Sequence, residues 1–346
     1  MAYISFQPND YFNTKLYTGT GSAQSITGVG FQPDFVWNKA RNAGEDHCVT
    51  DAVRGVTEAI FPSDYAAYQV QSNGLTAFGS DGYTVGSDGY WGYNGRTYAS
   101  WNWKANGQGS ANTSGSINTA YTSANTTSGF SICKWVGTQS TGTIAHGLGK
   151  VPKVIFVKNT DSTDSWNVFA KTGYMNENYR LLLDTTGARI ADGDAWNSQV
   201  PTSSYFTVGS NTGTNKSGST IIAYVFAEVQ GFSKFSEYVG NGNADGAFVN
   251  TGFKPAWVMT KPVSGAGSWY MLDNKRANPF NAVTGRVEAD GSGAENTGFT
   301  WCDFTSNGFK IRTTEGGINA NGVTYLYMAF AEKPLVSSNG VAATAR

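Results

Sequence analysis

The sequence predicts an all-β protein of three tandem antiparallel β-sandwich units, jelly-roll-like in type. Two observations carry that prediction: a composition suited to strands and tight turns, and a set of landmarks that recurs three times in the same order.

Composition comes first. The chain has 346 residues, 40% of them hydrophobic and only 14% charged, well below the usual quarter. Gly, Ser, Thr and Asn supply the polarity, and 20 Phe, 18 Tyr and 10 Trp supply the bulk. Such a mixture favours strands joined by glycine-rich turns over helices. A formal net charge of −1 gives no broad electrostatic reason to bind nucleic acid or an anionic membrane.

The repeat is the stronger signal. Gly30-Phe31-Gln32-Pro33-Asp34-Phe35-Val36-Trp37-Asn38-Lys39 returns as Gly149-Lys150-Val151-Pro152-Lys153-Val154-Ile155-Phe156-Val157-Lys158, and again as Gly252-Phe253-Lys254-Pro255-Ala256-Trp257-Val258-Met259-Thr260-Lys261. Each version has a proline, an apolar run, and a lysine six residues after the proline. Proline suits a strand's entry, where its missing N–H costs little. An aromatic-x-Gly pair precedes each proline: Tyr17/Gly19, Trp135/Gly137 and Tyr238/Gly240. Fourteen residues after the prolines stand His47, Trp166 and Trp269. Each unit closes on an aromatic-rich run, Tyr98 to Lys104, Ile221 to Glu228 and Tyr325 to Glu332. In the third, apolar side chains occupy both alternating faces. A strand of that kind belongs inside a sandwich, or between a sheet and a neighbouring subunit.

These landmarks divide the chain into unit one (1–104), a Ser/Thr/Asn/Gly linker (105–129), unit two (130–231), unit three (232–334) and a tail (335–346). About a hundred residues is a normal sandwich size. The linker is nearly free of apolar residues. Ile117 and Tyr121 are the two anchors by which it would lie across a neighbouring surface.

Motifs for chemistry are sparse. The sequence has no Gly-x-Ser-x-Gly elbow and no phosphate-binding Gly-x-x-x-x-Gly-Lys loop. No cofactor or metal is expected. His47 stands where the other units have tryptophan, which favours a packing role, and His146 reads as a turn residue. Cys48, Cys133 and Cys302 have unrelated spacings and read as buried free thiols. Asn241-x-Asn243-x-Asp245-Gly246 resembles the start of a calcium loop, but the position for the bidentate Glu holds Gly252. It reads as a turn, and Asp192-Gly193-Asp194 is an equally weak match. Asp51-x-x-Arg54 recurs as Asp273-x-x-Arg276, whereas unit two has Ala170 and Gly173 there. A carboxylate–guanidinium fork pinning a loop explains that recurrence. Tyr90, Trp91 and Tyr93 in a glycine-rich loop are the candidate ligand contacts. They suit stacking on sugar rings, anchoring a protein, or folding back onto their own unit.

Tyr-Thr-Gly-Thr-Gly at 17–21, Gly-Phe-Gln-Pro-Asp-Phe-Val-Trp at 30–37, Asp-Ala-Val-Arg-Gly-Val at 51–56 and Tyr-Ala-Ser-Trp-Asn-Trp-Lys-Ala at 98–105 resemble a repeat domain of tailed-bacteriophage virion proteins, marine ones especially, often described as tail-fibre-like or structural. The runs at 130–137, 146–153 and 328–334 fit the same pattern. The resemblance implies a non-enzymatic particle protein, in capsid decoration, a head fibre, a tail fibre or the baseplate. It also implies a homotrimer or other symmetric assembly with further virion proteins. No coiled-coil or β-helical shaft accompanies it, which argues against a long tail fibre. A receptor-binding adhesin for host surface glycans is the alternative, and a glycan-degrading enzyme has no motif in its favour. The N-terminus lacks a secretory signal and no stretch is long and apolar enough to span a bilayer. Synthesis in a host cytoplasm, followed by incorporation into a virion, is the expected course.

Overall fold

The chain is all-β, and its strands follow the repeat. A computed structural model describes residues 7–276 and 281–333, together with the backbone of 335–336 and 342–343. The predicted tail otherwise lies outside the described residues. Each unit builds a large antiparallel sheet whose last strand inserts between the first two. In unit one, Thr97–Trp103 lies between Phe12–Thr18 and Phe35–Ala40, with Cys48–Asp51 beyond. Thr220–Ala227 lies between Phe130–Val136 and Pro152–Asn159, with Asn167–Ala170 beyond. Thr324–Ala331 lies between Ser233–Val239 and Pro255–Pro262, with Tyr270–Asp273 beyond. Pro33 precedes its strand by two residues. Pro152 and Pro255 open theirs at a register shift, where the lost amide breaks no regular ladder.

One face of each large sheet covers its own small outer sheet. These outer sheets contain Gln24–Thr27 with Gly82–Val85 and Leu75–Gly79, Gly142–Ala145 with Tyr205–Val208, and Phe248–Asn250 with Gly308–Ile311 and Cys302–Thr305. Each pair of sheets encloses a separate apolar cluster.

The other faces of all three large sheets meet in one central core. Trp103, Phe226 and Phe330 hold the same register position: they pair with Phe35, Val154 and Trp257. Their rings converge pairwise, Trp103 to Phe226 at 6.4 Å, Trp103 to Phe330 at 5.6 Å and Phe226 to Phe330 at 6.1 Å. The units therefore stand around an approximate threefold axis within one chain. The closing strands are buried on both faces, as their composition requires, but the neighbour that covers them is another unit. This apolar surface, which the sequence assigns to a sandwich interior or a neighbouring subunit, is covered by other units of the same chain.

Residues 105–129 do not form a linker. Ser110–Asn112 and Thr119–Asn125 add two strands to the sheet of unit two, the second pairing with Phe130–Val136. Ile117 is buried in the outer core of unit two, and Tyr121 packs against the central core. Strand addition satisfies backbone groups directly, so a segment with almost no apolar residues still orders. The surface it lies across belongs to its own chain.

Candidate functional site at the unit junctions

The lysine six residues after each proline is the repeated junction residue. Lys39 Nζ donates to Ser292 O of unit three at 3.1 Å. Lys158 Nζ donates to Tyr65 O of unit one at 2.8 Å. Lys261 Nζ donates to Thr185 O of unit two at 3.3 Å. The three contacts run around the axis in one sense and close a ring. Each lysine also binds carbonyls of its own unit: Ala40 and Ala43, Asp164, and Gly267 respectively. The residue fourteen after the proline reinforces the same junctions. Trp166 Nε1 donates to Phe61 O at 2.8 Å, and Trp269 Nε1 to Leu182 O at 2.9 Å. His47 holds the matching place beside Glu288, its ring accepting from Trp37 Nε1 at 2.8 Å. Burial keeps it well below the usual histidine range, hence neutral, in line with a packing role.

Burial also pushes the three lysines down from 10.5 to about 8. Above pH 8 the folded lysines release protons that the unfolded chain keeps until about 10.4. The unfolded state then binds more protons, so stability rises with pH; below pH 8 both states are protonated and the full cost of burying the charges is present. From about pH 8.5, where unfolded thiols titrate, a smaller opposing trend sets in, because burial raises the Cys48, Cys133 and Cys302 thiols. The urea midpoint is therefore expected to increase from pH 8 to pH 9. Replacing all three lysines by Met should remove that increase, and an unchanged slope in the triple variant would contradict the assignment.

The acid–arginine forks sit at the same junctions. Asp51 accepts from Arg54 Nε at 2.5 Å and from Tyr224 OH of unit two at 2.7 Å. Asp273 accepts from Arg276 Nε at 2.6 Å and from Trp101 Nε1 of unit one at 3.0 Å. Burial alone would raise the Asp273 carboxyl, but the guanidinium and the indole N–H overcome it and hold it below the usual range. At the third corner the corresponding residues are Ala170 and Met328, both in the central core. The fork is present where the facing closing strand offers a donor and absent where it offers a thioether. Glu295, which no motif marked, bridges Arg276 at 3.1 Å and Arg41 at 2.8 Å.

The aromatic loop is not an exposed platform. Trp91 is fully buried in the outer core of unit one, so its assignment as a ligand contact is corrected. Unit three supplies the physical reason. Tyr17 OH bonds Trp91 O at 2.8 Å as Tyr238 OH bonds Ile318 O at 2.8 Å, and Tyr93 N meets Tyr98 OH as Ala320 N meets Tyr325 OH. Trp91 thus fills the position of a core isoleucine. Tyr90 is half-buried with its ring 5.1 Å from Phe61. Tyr93 stays 53% exposed under Arg96. The same loop explains the aromatic-x-Gly motif. A Cβ on Gly19, Gly137 or Gly240 would lie 2.4, 2.2 or 2.4 Å from a carbonyl oxygen of the loop opposite, so only glycine fits.

The remaining signals resolve as local structure. Asn241 Oδ1 caps Asn243 N, Asn243 Oδ1 caps Asp245 N, and Asp245 pairs with Lys310 at 2.8 Å. Asp192 caps the short turn Gly193–Trp196 and pairs with Arg180 at 2.6 Å. His146 Nδ1 accepts from Leu148 N at 3.2 Å within a turn. All three cysteines are buried and free. Among the described residues, no three His, Cys, Asp or Glu side chains gather as a metal site would require.

No curated protein and no solved structure matches the chain. One family model does, over residues 7–334. The match takes in all three units and the strands between the first and second, so the chain belongs to DUF7483, a family described as a domain of unknown function.

Proposed function

We propose that the chain is a non-enzymatic structural protein displayed on a tailed-phage particle, as capsid decoration, a head fibre or a tail or baseplate component, in contact with other virion proteins. The observation that supports this reading is the use made of the repeated polar residues. The lysines and the acid–arginine forks tie unit to unit, and the result is a closed body with its own threefold arrangement. A body of that kind suits a load-carrying position at a symmetric place on a particle. The sequence resemblance points the same way. Mass spectrometry of purified virions is expected to find the chain in fixed copy number, and immunogold labelling to place it on the outside. Its presence in infected lysate but absence from particles would overturn the reading.

An adhesin for host glycans is the second reading. The Tyr90–Tyr93 loop supports it less than its composition suggested, since Trp91 is buried. Two other tyrosines favour it instead.

A further inference from the structure

The three junctions are alike enough to serve as controls for one another. Each is closed by a strap of one unit clasped on the next. Residues 61–68 of unit one are held by Lys158 and by Tyr68 N donating to Thr160 O at 2.8 Å. Residues 182–187 of unit two are held by Lys261 and by Gly267 N donating to Thr186 O at 2.8 Å. Residues 288–295 of unit three are held by Lys39 and by Glu295 N donating to Arg41 O at 2.7 Å. The second and third straps contain no aromatic residue, so the clasp does not need one. Besides the buried Phe61, the first contains Tyr65 and Tyr68, exposed to 59% and 41%. Tyr65 stands where the other straps have Thr185 and Ser292, and Tyr68 where the third strap has Glu295, so neither clasp position requires a ring.

Tyr68 also lines a cleft of about 130 Å³ between units one and two, with Arg54, Glu58, Lys134 and Asp161 among its walls. Two of these are fixed: Arg54 Nη1 donates to Glu58 O at 3.0 Å, and Asp161 Oδ2 accepts from Thr220 N at 2.7 Å. The other two are uncommitted. Neither the Glu58 carboxylate nor the Lys134 ammonium has an ion pair or side-chain hydrogen bond among the described residues. At the next junction the residue matching Lys134 in register is Glu237. That carboxylate accepts Tyr174 N at 2.8 Å and is closed off.

We propose that the Tyr65/Tyr68 strap and the adjoining cleft bind a pyranose unit of a glycan. A sugar ring presents an apolar C–H face to a tyrosine and neighbouring hydroxyls that both donate and accept. Lys134 supplies a donor and Glu58 an acceptor in the walls of the same small cleft. Two carboxylates in the wall disfavour a phosphate, two cationic side chains disfavour a metal ion, and the volume is too small for a folded protein loop. Preformed sites with a few placed polar groups and an aromatic wall are the usual form of small-ligand pockets. The inference deepens the adhesin reading and is independent of where the protein sits on a particle.

The test uses the full chain on an array of immobilised glycans, then saturation-transfer NMR with the methyl glycoside of the pyranose in the strongest-binding glycan. Binding by the wild type is expected. Tyr68→Ala, and Glu58→Gln with Lys134→Met, should each weaken it by about tenfold or more with the melting temperature unchanged, while Tyr93→Ser should not. Wild-type binding that survives Tyr65→Ala with Tyr68→Ala, or that is lost in Tyr93→Ser instead, would overturn this site while leaving the adhesin reading intact. A wild type that binds nothing on the array would overturn both.

Discussion

Replacing Asp51 by Ala is expected to destabilise the protein by about 3–5 kcal/mol, the usual cost of stripping one partner from a buried ion pair. Asp51 and Arg54 have almost no side-chain exposure. The carboxylate also accepts Val53 N at 3.0 Å, Arg54 N at 2.8 Å and Tyr224 OH at 2.7 Å. Its loss leaves a guanidinium charge buried, orphans a phenol at the junction and frees the turn that follows. Urea unfolding with a fluorescence readout measures the change. The unit two–unit three corner supplies the control. Ala170, Gly173 and Met328 stand there in place of the acid, the arginine and the donor, and the corner still closes. The triple variant Asp51→Ala, Arg54→Gly, Tyr224→Met is therefore expected to recover much of the loss, since replacing a whole buried network by apolar groups is often neutral. A single-variant cost under about 1 kcal/mol, as for an exposed pair, would show that the fork does not hold the junction.

Trp103→Ala is expected to cost about 3–5 kcal/mol, as truncation of a large buried aromatic does, and to do so for all three units at once. The indole touches rings from each: Phe12 at 4.8 Å and Phe35 at 5.3 Å in its own unit, Phe226 at 6.4 Å in unit two, and Trp257 at 5.7 Å and Phe330 at 5.6 Å in unit three. A cavity at the axis removes contacts from every large sheet. Differential scanning calorimetry should give one transition in the wild type and one, at lower temperature, in the variant. Separate transitions, with only the first displaced, would mean that the units unfold independently and that the central core contributes little.

The repeat was readable because it is encoded locally. A proline, a continuous apolar run and a lysine at fixed spacing mark one strand wherever they occur, and their return at matching intervals identified the units before any contact was known. The role of that lysine was not readable. Its partner strap lies 93 residues away for Lys158, 76 for Lys261 and 253 for Lys39, and the acceptor is a backbone carbonyl, which every residue offers. Glu295 escaped for the same reason. Residues 105–129 order across a neighbouring surface through Ile117 and Tyr121, as their sequence suggests; that the surface is the sheet of unit two was not legible, because strand addition draws on backbone groups that every residue offers. Trp91 was misread because a glycine-rich loop with three aromatics looks the same whether its rings face water or the core.

The sequence by itself determined the fold class, the threefold repetition and the proline-led strands. All follow from local backbone preference and the two-residue period of a strand. Only the tertiary structure decided that the three units close on one another, that Lys39, Lys158 and Lys261 lock them in a ring, and that Asp51 and Asp273 reach across junctions. It also decided that Tyr65 and Tyr68 face outward while Trp91 does not. Those outcomes depend on which surfaces meet, and burial of apolar area has no direction: it rewards any close-packed arrangement of three such sheets until specific side chains at the contacts select one.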